Sequence, residues 1–177
     1  MTNPATPPLD KLSLTNPISR VRRNHGLEHA TLHILSEKFP YARLAGYSSP
    51  SGFWIVGEVD IEELRQGVME ALQRLRNGER DLAVHPNCGT NFVTTGAITG
   101  LVAALTMLGG GNRKRDRLER IPLAISLSIV TLILSQPLGL WLQKEVTTSG
   151  VPESLEIVDI RPSQRGRIKS HYVQTTG

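Results

Sequence analysis

Apolar and polar positions recur along this chain with three distinct rhythms. From residue 16 to 39, Ile18, Val21, His25, Glu28, Leu32, Leu35 and Phe39 follow spacings of three and four, the period of one helix face. Asn16-Pro17 supplies an N-cap followed by proline at the first helical position, and Pro40 stops the helix at about Phe39. Residues 41–47 and 52–60 alternate apolar and polar around Ser-Ser-Pro-Ser-Gly, which predicts a β-hairpin. Asp60 and Glu63 have the spacing of a capping box. Ile61, Leu64, Val68, Leu72 and Leu75 then form a second amphipathic helix that Asn77-Gly78 ends. Residues 155–160 and 167–174, separated by Pro-Ser-Gln-Arg-Gly, predict a second hairpin.

The third rhythm is the lack of one. No Lys, Arg, Asp or Glu lies between His85 and Arg113; residues 92–108 are the apolar centre of that run, and residues 121–143 are again uncharged. As helices these stretches measure about 26 and about 34 Å, near the ~30 Å hydrocarbon thickness of a bilayer. Pro122 suits a first helical turn and Trp141 an interfacial aromatic belt. Gly96, Gly100, Ala103 and Ala104 form a small-residue face on which helices can approach closely, either the two spans of one hairpin or two copies of the chain in a homo-oligomer. Few soluble helices of this length carry no charge. The expectation is therefore an integral membrane protein of the bacterial-type plasma membrane, with two spans and the lipid bilayer as its partner.

An even number of spans returns the chain to its starting side, so both hairpins can join one sheet. The fold class expected is α+β: a small extramembrane domain of two helices and two β-hairpins, with a transmembrane helical hairpin inserted. Residues 1–15, rich in Pro, Thr and Asn, read as a flexible tail. Residues 16–90 form the extramembrane α+β domain, 91–143 the transmembrane hairpin, and 144–177 the C-terminal hairpin that returns to that domain.

Composition adds three constraints. The 177 residues suffice for one domain of ordinary size. The net charge of +4 comes from clusters, five of the 20 Lys and Arg lying within residues 113–120. A basic block between apolar runs reads as a topology determinant meeting lipid headgroups, and no nucleic-acid motif accompanies it, so nucleic acid is excluded as a partner. Five further Lys and Arg flank the outer ends of the spans, so charge alone leaves the orientation balanced. The N-terminal residues lack the apolar stretch of a signal peptide, and one unpaired cysteine excludes an internal disulfide; both favour cytosolic termini.

The candidate chemistry lies in the first helix. His25-Gly26-Leu27-Glu28-His29 spells H-x-x-E-H, the inverted zincin order, in which two imidazoles grip a metal and the carboxylate handles protons. At 100° per residue His25 lies near the centre of the apolar stripe, Glu28 and His29 about 50° to either side, and His33 roughly 90° away on the rim. Burying Glu28 is costly without a partner, and Arg22 is the nearby cation on that side. A divalent metal, zinc by ligand type, resolves the cost. The remaining ligands come from His85-Pro86-Asn87-Cys88-Gly89-Thr90-Asn91, where His85 and Cys88 sit three apart in a turn. Cys88 precedes the expected N-cap, Thr90 or Asn91, where the helix dipole favours thiolate.

Plainer readings stand beside this one. An isolated five-residue His/Glu pattern is weak, and only its placement in the core stripe and the second His/Cys turn strengthen it. Cys88 alone reads as a small buried residue, His33 with Glu37 as a solvated i,i+4 pair, and His171 as a strand residue with no special role.

The two motifs together, His25-Gly26-Leu27-Glu28-His29 and His85-Pro86-Asn87-Cys88-Gly89-Thr90 ahead of a hydrophobic helix beginning at Phe92, resemble the YqhQ-like bacterial membrane proteins, or a smaller two-span relative of them. That family's pattern continues E-H-K, whereas Ala30 stands here, and this chain has fewer spans. The resemblance implies a metal-dependent enzyme without a defined substrate, with His25, Glu28, His29, His85 and Cys88 as site residues. Two functions follow. One is a metal-dependent hydrolase with His25, His29 and one or both of His85 and Cys88 as metal ligands and Glu28 as the catalytic base, the site becoming structural if all four bind. The other is a non-catalytic scaffold or sensor with a structural metal site. A metal-free thiol role for Cys88 would leave the buried Glu28 unexplained.

Overall fold

The structure is a computed structural model that describes residues 16–108, 114–165 and 168–177; the expected tail, residues 1–15, and Arg113 of the basic block lie outside them. The chain divides into two compact units, one joining Met1–His85 to Lys144–Gly177 and the other comprising Pro86–Gln143.

In the first unit, helix α1 (Pro17–Lys38) begins where Asn16 accepts the Ile18 N–H at 2.9 Å, with proline in the first turn. Helix α2 (Ile61–Arg76) carries the complete Asp60/Glu63 capping box, and Gly78 follows it at φ +96°, the left-handed region open to glycine. The hairpin β1 (Ala45–Ser49) and β2 (Gly52–Val56) is shorter than the alternation predicted. The C-terminal hairpin β3 (Glu156–Arg165) and β4 (Ile168–Thr176) is longer, because residues 162–165, expected to be turn, continue β3. The two hairpins share one antiparallel sheet in the order β1-β2-β4-β3. Pro162 is tolerated because β3 is the edge strand of the sheet among the described residues, the position where a missing ladder donor costs least.

One sheet face packs its Phe53, Ile55, Ile160 and Val173 against Leu27, Ile34 and Leu35 of α1 and Leu64, Val68 and Leu72 of α2. Burying each of the larger side chains is worth roughly 1.5–3 kcal/mol. The opposite face carries a cross-strand ladder. Tyr47 stacks on Trp54 at 4.7 Å, Trp54 meets Tyr172 at 4.2 Å, and the Arg161 guanidinium lies 5.4 Å from the Tyr172 ring centroid.

Helix α1 departs from the stripe that its spacing predicted. Ile18 is 69% exposed, whereas Arg23, Asn24 and every residue from Gly26 to Leu32 are buried. The sheet and α2 cover one side of the helix. A 3₁₀ turn (Arg80–Ala83) and the segment after a π-helical turn (Gln143–Thr147) come against the other. At the closest approach the Ser149 N–H donates to the Arg22 carbonyl at 2.9 Å, and a Cβ on Gly26 would overlap the Ser149 carbonyl oxygen.

In the second unit, α3 (Gly89–Leu108) and α5 (Ile121–Leu142) pack side by side, with the short α4 (Lys114–Leu118) ahead of α5. Both long helices are long and apolar enough to cross a membrane. Their large apolar side chains, among them Leu101, Leu105, Ile125, Ile129 and Ile133, are exposed. The residues they bury are small or polar, Asn91, Thr95, Ala124, Ser135 and Gly139: the Gly139 backbone allows Asn91 close, and Gln143 donates to Asn91 Oδ1 at 3.3 Å, while Asn91 itself donates to the Pro86 carbonyl at 2.9 Å. The Gly96/Gly100 face does not form this contact, since a Cβ at either position would meet nothing within 4 Å among the described residues.

Gly26→Ala tests the enclosure of α1. Alanine in an ordinary helix interior gains about 1 kcal/mol over glycine. Here it must displace the Ser149 backbone, so thermal unfolding in detergent should show a net loss of about 1–3 kcal/mol, the scale of overpacking. A midpoint equal to or above wild type would contradict the close approach.

Candidate metal centre

Helix α1 presents His25, His29 and His33 at successive spacings of four, and a backbone carbonyl holds one nitrogen of each ring. His25 Nδ1 lies 3.0 Å from the Thr147 oxygen, His29 Nδ1 2.8 Å from that of Ala83, and His33 Nε2 2.9 Å from that of Val84. A carbonyl oxygen only accepts, so the nitrogen facing it carries the proton, and in a neutral ring the other nitrogen keeps the lone pair. His25 and His29 therefore offer Nε2 to a ligand, oriented as metal-binding histidines are by their outer hydrogen bonds. Their ring centroids are 4.3 Å apart, and their candidate ligand atoms lie within 4.8 Å of each other.

His85 closes the cluster, 4.7 Å from the His33 ring and 5.8 Å from the His29 ring between centroids. Burial pushes its pKa down to about 4, and the adjacent His33 and His29 add repulsion against a proton. His85 is thus a neutral imidazole at physiological pH, the form that ligates metals.

The helical spacing sets His33 on the rim beside Glu37. In the structure its ring joins His85, while Glu37 lies 3.8 Å from Arg74. The signal for it was the unbroken repeat of histidine every four residues.

Glu28 is 2% exposed and its carboxylate is turned to β1, where Ser48 donates to Oε2 at 2.5 Å. A Cβ on Gly46 would overlap that carboxylate, so glycine in β1 makes room for it. Arg22, the cation expected beside Glu28, instead donates to the Glu145 and Thr148 carbonyls at 2.8 and 3.2 Å.

In the second unit Cys88 is buried and itself caps α3. Its Sγ accepts the Thr90 N–H at 3.4 Å and its carbonyl the Asn91 N–H at 3.0 Å. The cap therefore lies two or three residues before the expected Thr90 or Asn91. A sulfur acceptor serves at this cap in place of a hydroxyl or amide.

Residues 20–160 match the family described as a domain of unknown function, DUF6391, and the chain belongs to that family. It is 32% identical over 165 residues to an uncharacterized protein of Picosynechococcus sp. (strain ATCC 27264 / PCC 7002 / PR-6), an alignment covering 87% of this chain and 78% of the relative. No solved structure matches the chain. The likeness to the YqhQ-like proteins rests on the two motifs alone.

The His85 shift has a definite sign. Unfolded, the ring titrates near 6.5; folded, it titrates at about 4. As pH falls the unfolded chain takes the proton first, so the stability this group contributes is full above about 6.5, is lost between 6.5 and 4, and is level below. Chelator-treated protein should show a thermal midpoint that drops through this window, and His85→Asn should shrink the drop. An unchanged slope in the variant would remove His85 as its source.

Proposed function

We propose that this protein is an integral membrane protein of the bacterial-type plasma membrane that holds a divalent metal, zinc by ligand type, and acts as a metal-dependent hydrolase. His25 and His29 are the first two ligands, and either His85 or Cys88 supplies the third, which keeps one position open as a catalytic site requires. The observation that carries this reading is the pair of Nδ1–H···O=C anchors, which orient two imidazoles one helical turn apart on the same side of α1. Cys88 follows His85 by three residues, so their Cα atoms are within about 11 Å of each other whatever the conformation, and its sulfur is a soft ligand. The resemblance to the YqhQ-like proteins supports the same set of residues.

When bound, a divalent cation supplies Lewis acidity to a substrate oxygen. Glu28 holds and moves the proton, and the Ser48 hydroxyl fixes its carboxylate. The exposed apolar sides of α3 and α5 support a bilayer around them, and a reducing cytosol on the side of the termini keeps Cys88 a thiol. A second reading, a closed structural or sensory site, draws on the His85 ring, which adds a further donor beside His29 and His33.

Elemental analysis of detergent-purified protein should find one equivalent of metal, reduced at least tenfold by His29→Ala combined with Cys88→Ser. Glu28→Gln should keep the metal and lose roughly 10²–10⁴-fold in turnover of ester or peptide substrates. Metal-free wild type after incubation with zinc would refute the site. Metal retained with no hydrolysis by wild type would select the closed-site reading.

The open Gly96/Gly100 face is the surface proposed for a homo-oligomer. Gly100→Ile should abolish a cross-linked dimer in membranes, and a dimer that survives it would assign the contact elsewhere.

A further inference from the structure

Four imidazoles of the first unit run in a row at α1, in the order His25, His29, His85, His33. Neighbouring ring centroids along the row are 4.3, 5.8 and 4.7 Å apart. The centre proposed above begins with His25 and His29, and His33 takes no part in it.

The distances divide the row into two pairs. An ion about 2 Å from one nitrogen of each of two rings, at a tetrahedral angle, sets their centroids about 5 Å apart. His25 with His29 and His33 with His85 both stand near that separation, and the widest gap falls between the pairs.

The backbone holds the second pair much as it holds the first. Two consecutive carbonyls, those of Ala83 and Val84, take His29 Nδ1 at 2.8 Å and His33 Nε2 at 2.9 Å. His85 follows directly in the chain and brings its own ring against both. With Nε2 facing a carbonyl, the neutral His33 ring keeps its lone pair on Nδ1. A ring fixed through its other nitrogen is oriented before a ligand arrives, as metal-binding histidines are.

His33 and His85 are both half-buried, so water can fill the coordination places that two protein ligands leave open. A pair of imidazoles holds an ion more weakly than three or four protein ligands do, because each ligand adds its own share of the binding.

We propose that His33 and His85 hold a second divalent cation beside the one at His25 and His29, so that Cys88 rather than His85 supplies the third ligand of the first. This second position rests on the metal reading above and makes the centre a two-metal site, in which neighbouring ions stabilise the attacking and the leaving oxygen of one hydrolysis.

Calorimetric titration with zinc chloride tests this, on the full chain in detergent after chelator treatment and removal of the chelator. Two equivalents of unequal affinity are expected, the tighter being the one retained through purification. His33→Gln, which keeps an N–H for the Val84 carbonyl, should lose the weaker equivalent and keep the tighter, and His85→Asn should do the same. Should one variant not fold, the other decides. A single equivalent in wild type that His33→Gln leaves untouched and His85→Asn weakens would overturn the second position and return His85 to the first. Two equivalents that both survive His33→Gln would overturn it as well. No uptake of zinc at all would remove the centre and the second position together.

Discussion

A helix enclosed around its middle must find partners for each polar side chain it buries, and this constraint organises the first unit. Between Arg23 and Leu35, α1 buries a guanidinium, two amide or hydroxyl groups, a carboxylate and an imidazole. Leaving any of them unmatched costs on the order of a lost hydrogen bond or more. Arg23 meets Glu153 at 2.6 Å and the Gly177 carbonyl at 3.0 Å; Asn24 donates to the Ser49 carbonyl and accepts from Thr175. Thr31 returns its hydroxyl to the Leu27 carbonyl, Glu28 accepts from Ser48, and His29 takes the Ala83 carbonyl. Several of these partners are more than a hundred residues away in sequence. The polar groups of the helix therefore help to hold the C-terminal hairpin to the N-terminal half of the chain.

The same constraint builds the candidate centre. The carbonyls that anchor His25, His29 and His33 come from Thr147, Ala83 and Val84, the stretches of the first unit that lead out of and into the apolar hairpin. Fixing a ring through one nitrogen removes rotamer freedom and aims the other nitrogen before any ligand arrives, which is how metal-binding imidazoles are preorganised. Gly26 is part of this arrangement, because only a residue without a side chain lets α1 lie against Ser149 and, two residues away, Thr147. In the second unit the logic is reversed. Apolar side chains face outward, and the amides of Asn91 and Gln143 meet at one end of the helix pair, as expected where the surroundings cannot satisfy polar groups.

Much of the element map was legible because it is local. The Asn16-Pro17 cap, the Asp60/Glu63 box, the Asn77-Gly78 stop and the two charge-free runs each depend on neighbours a few residues apart, and all mark real helix boundaries or helices. The pairing of both hairpins in one sheet was also accessible. Errors arose where a distant neighbour intervened. Pro162 looked like a turn until β3 proved to be an edge strand, and the α1 stripe looked one-sided until other segments covered its far side. His33 is half-buried, as a rim residue is, but its partner is set at a distance: the ring it packs against lies 52 residues on.

The order of residues by itself determined the α+β composition, the two apolar helices and the histidines at every fourth position, because spacing, capping and charge act over a few residues. Only the folded chain decided which imidazole nitrogen is spent on backbone, that Glu28 turns to Ser48 rather than Arg22, and that no described residue covers Gly96 and Gly100. Hydrogen-bond partners and close contacts are set by segments that meet through space, and no local spacing carries that information.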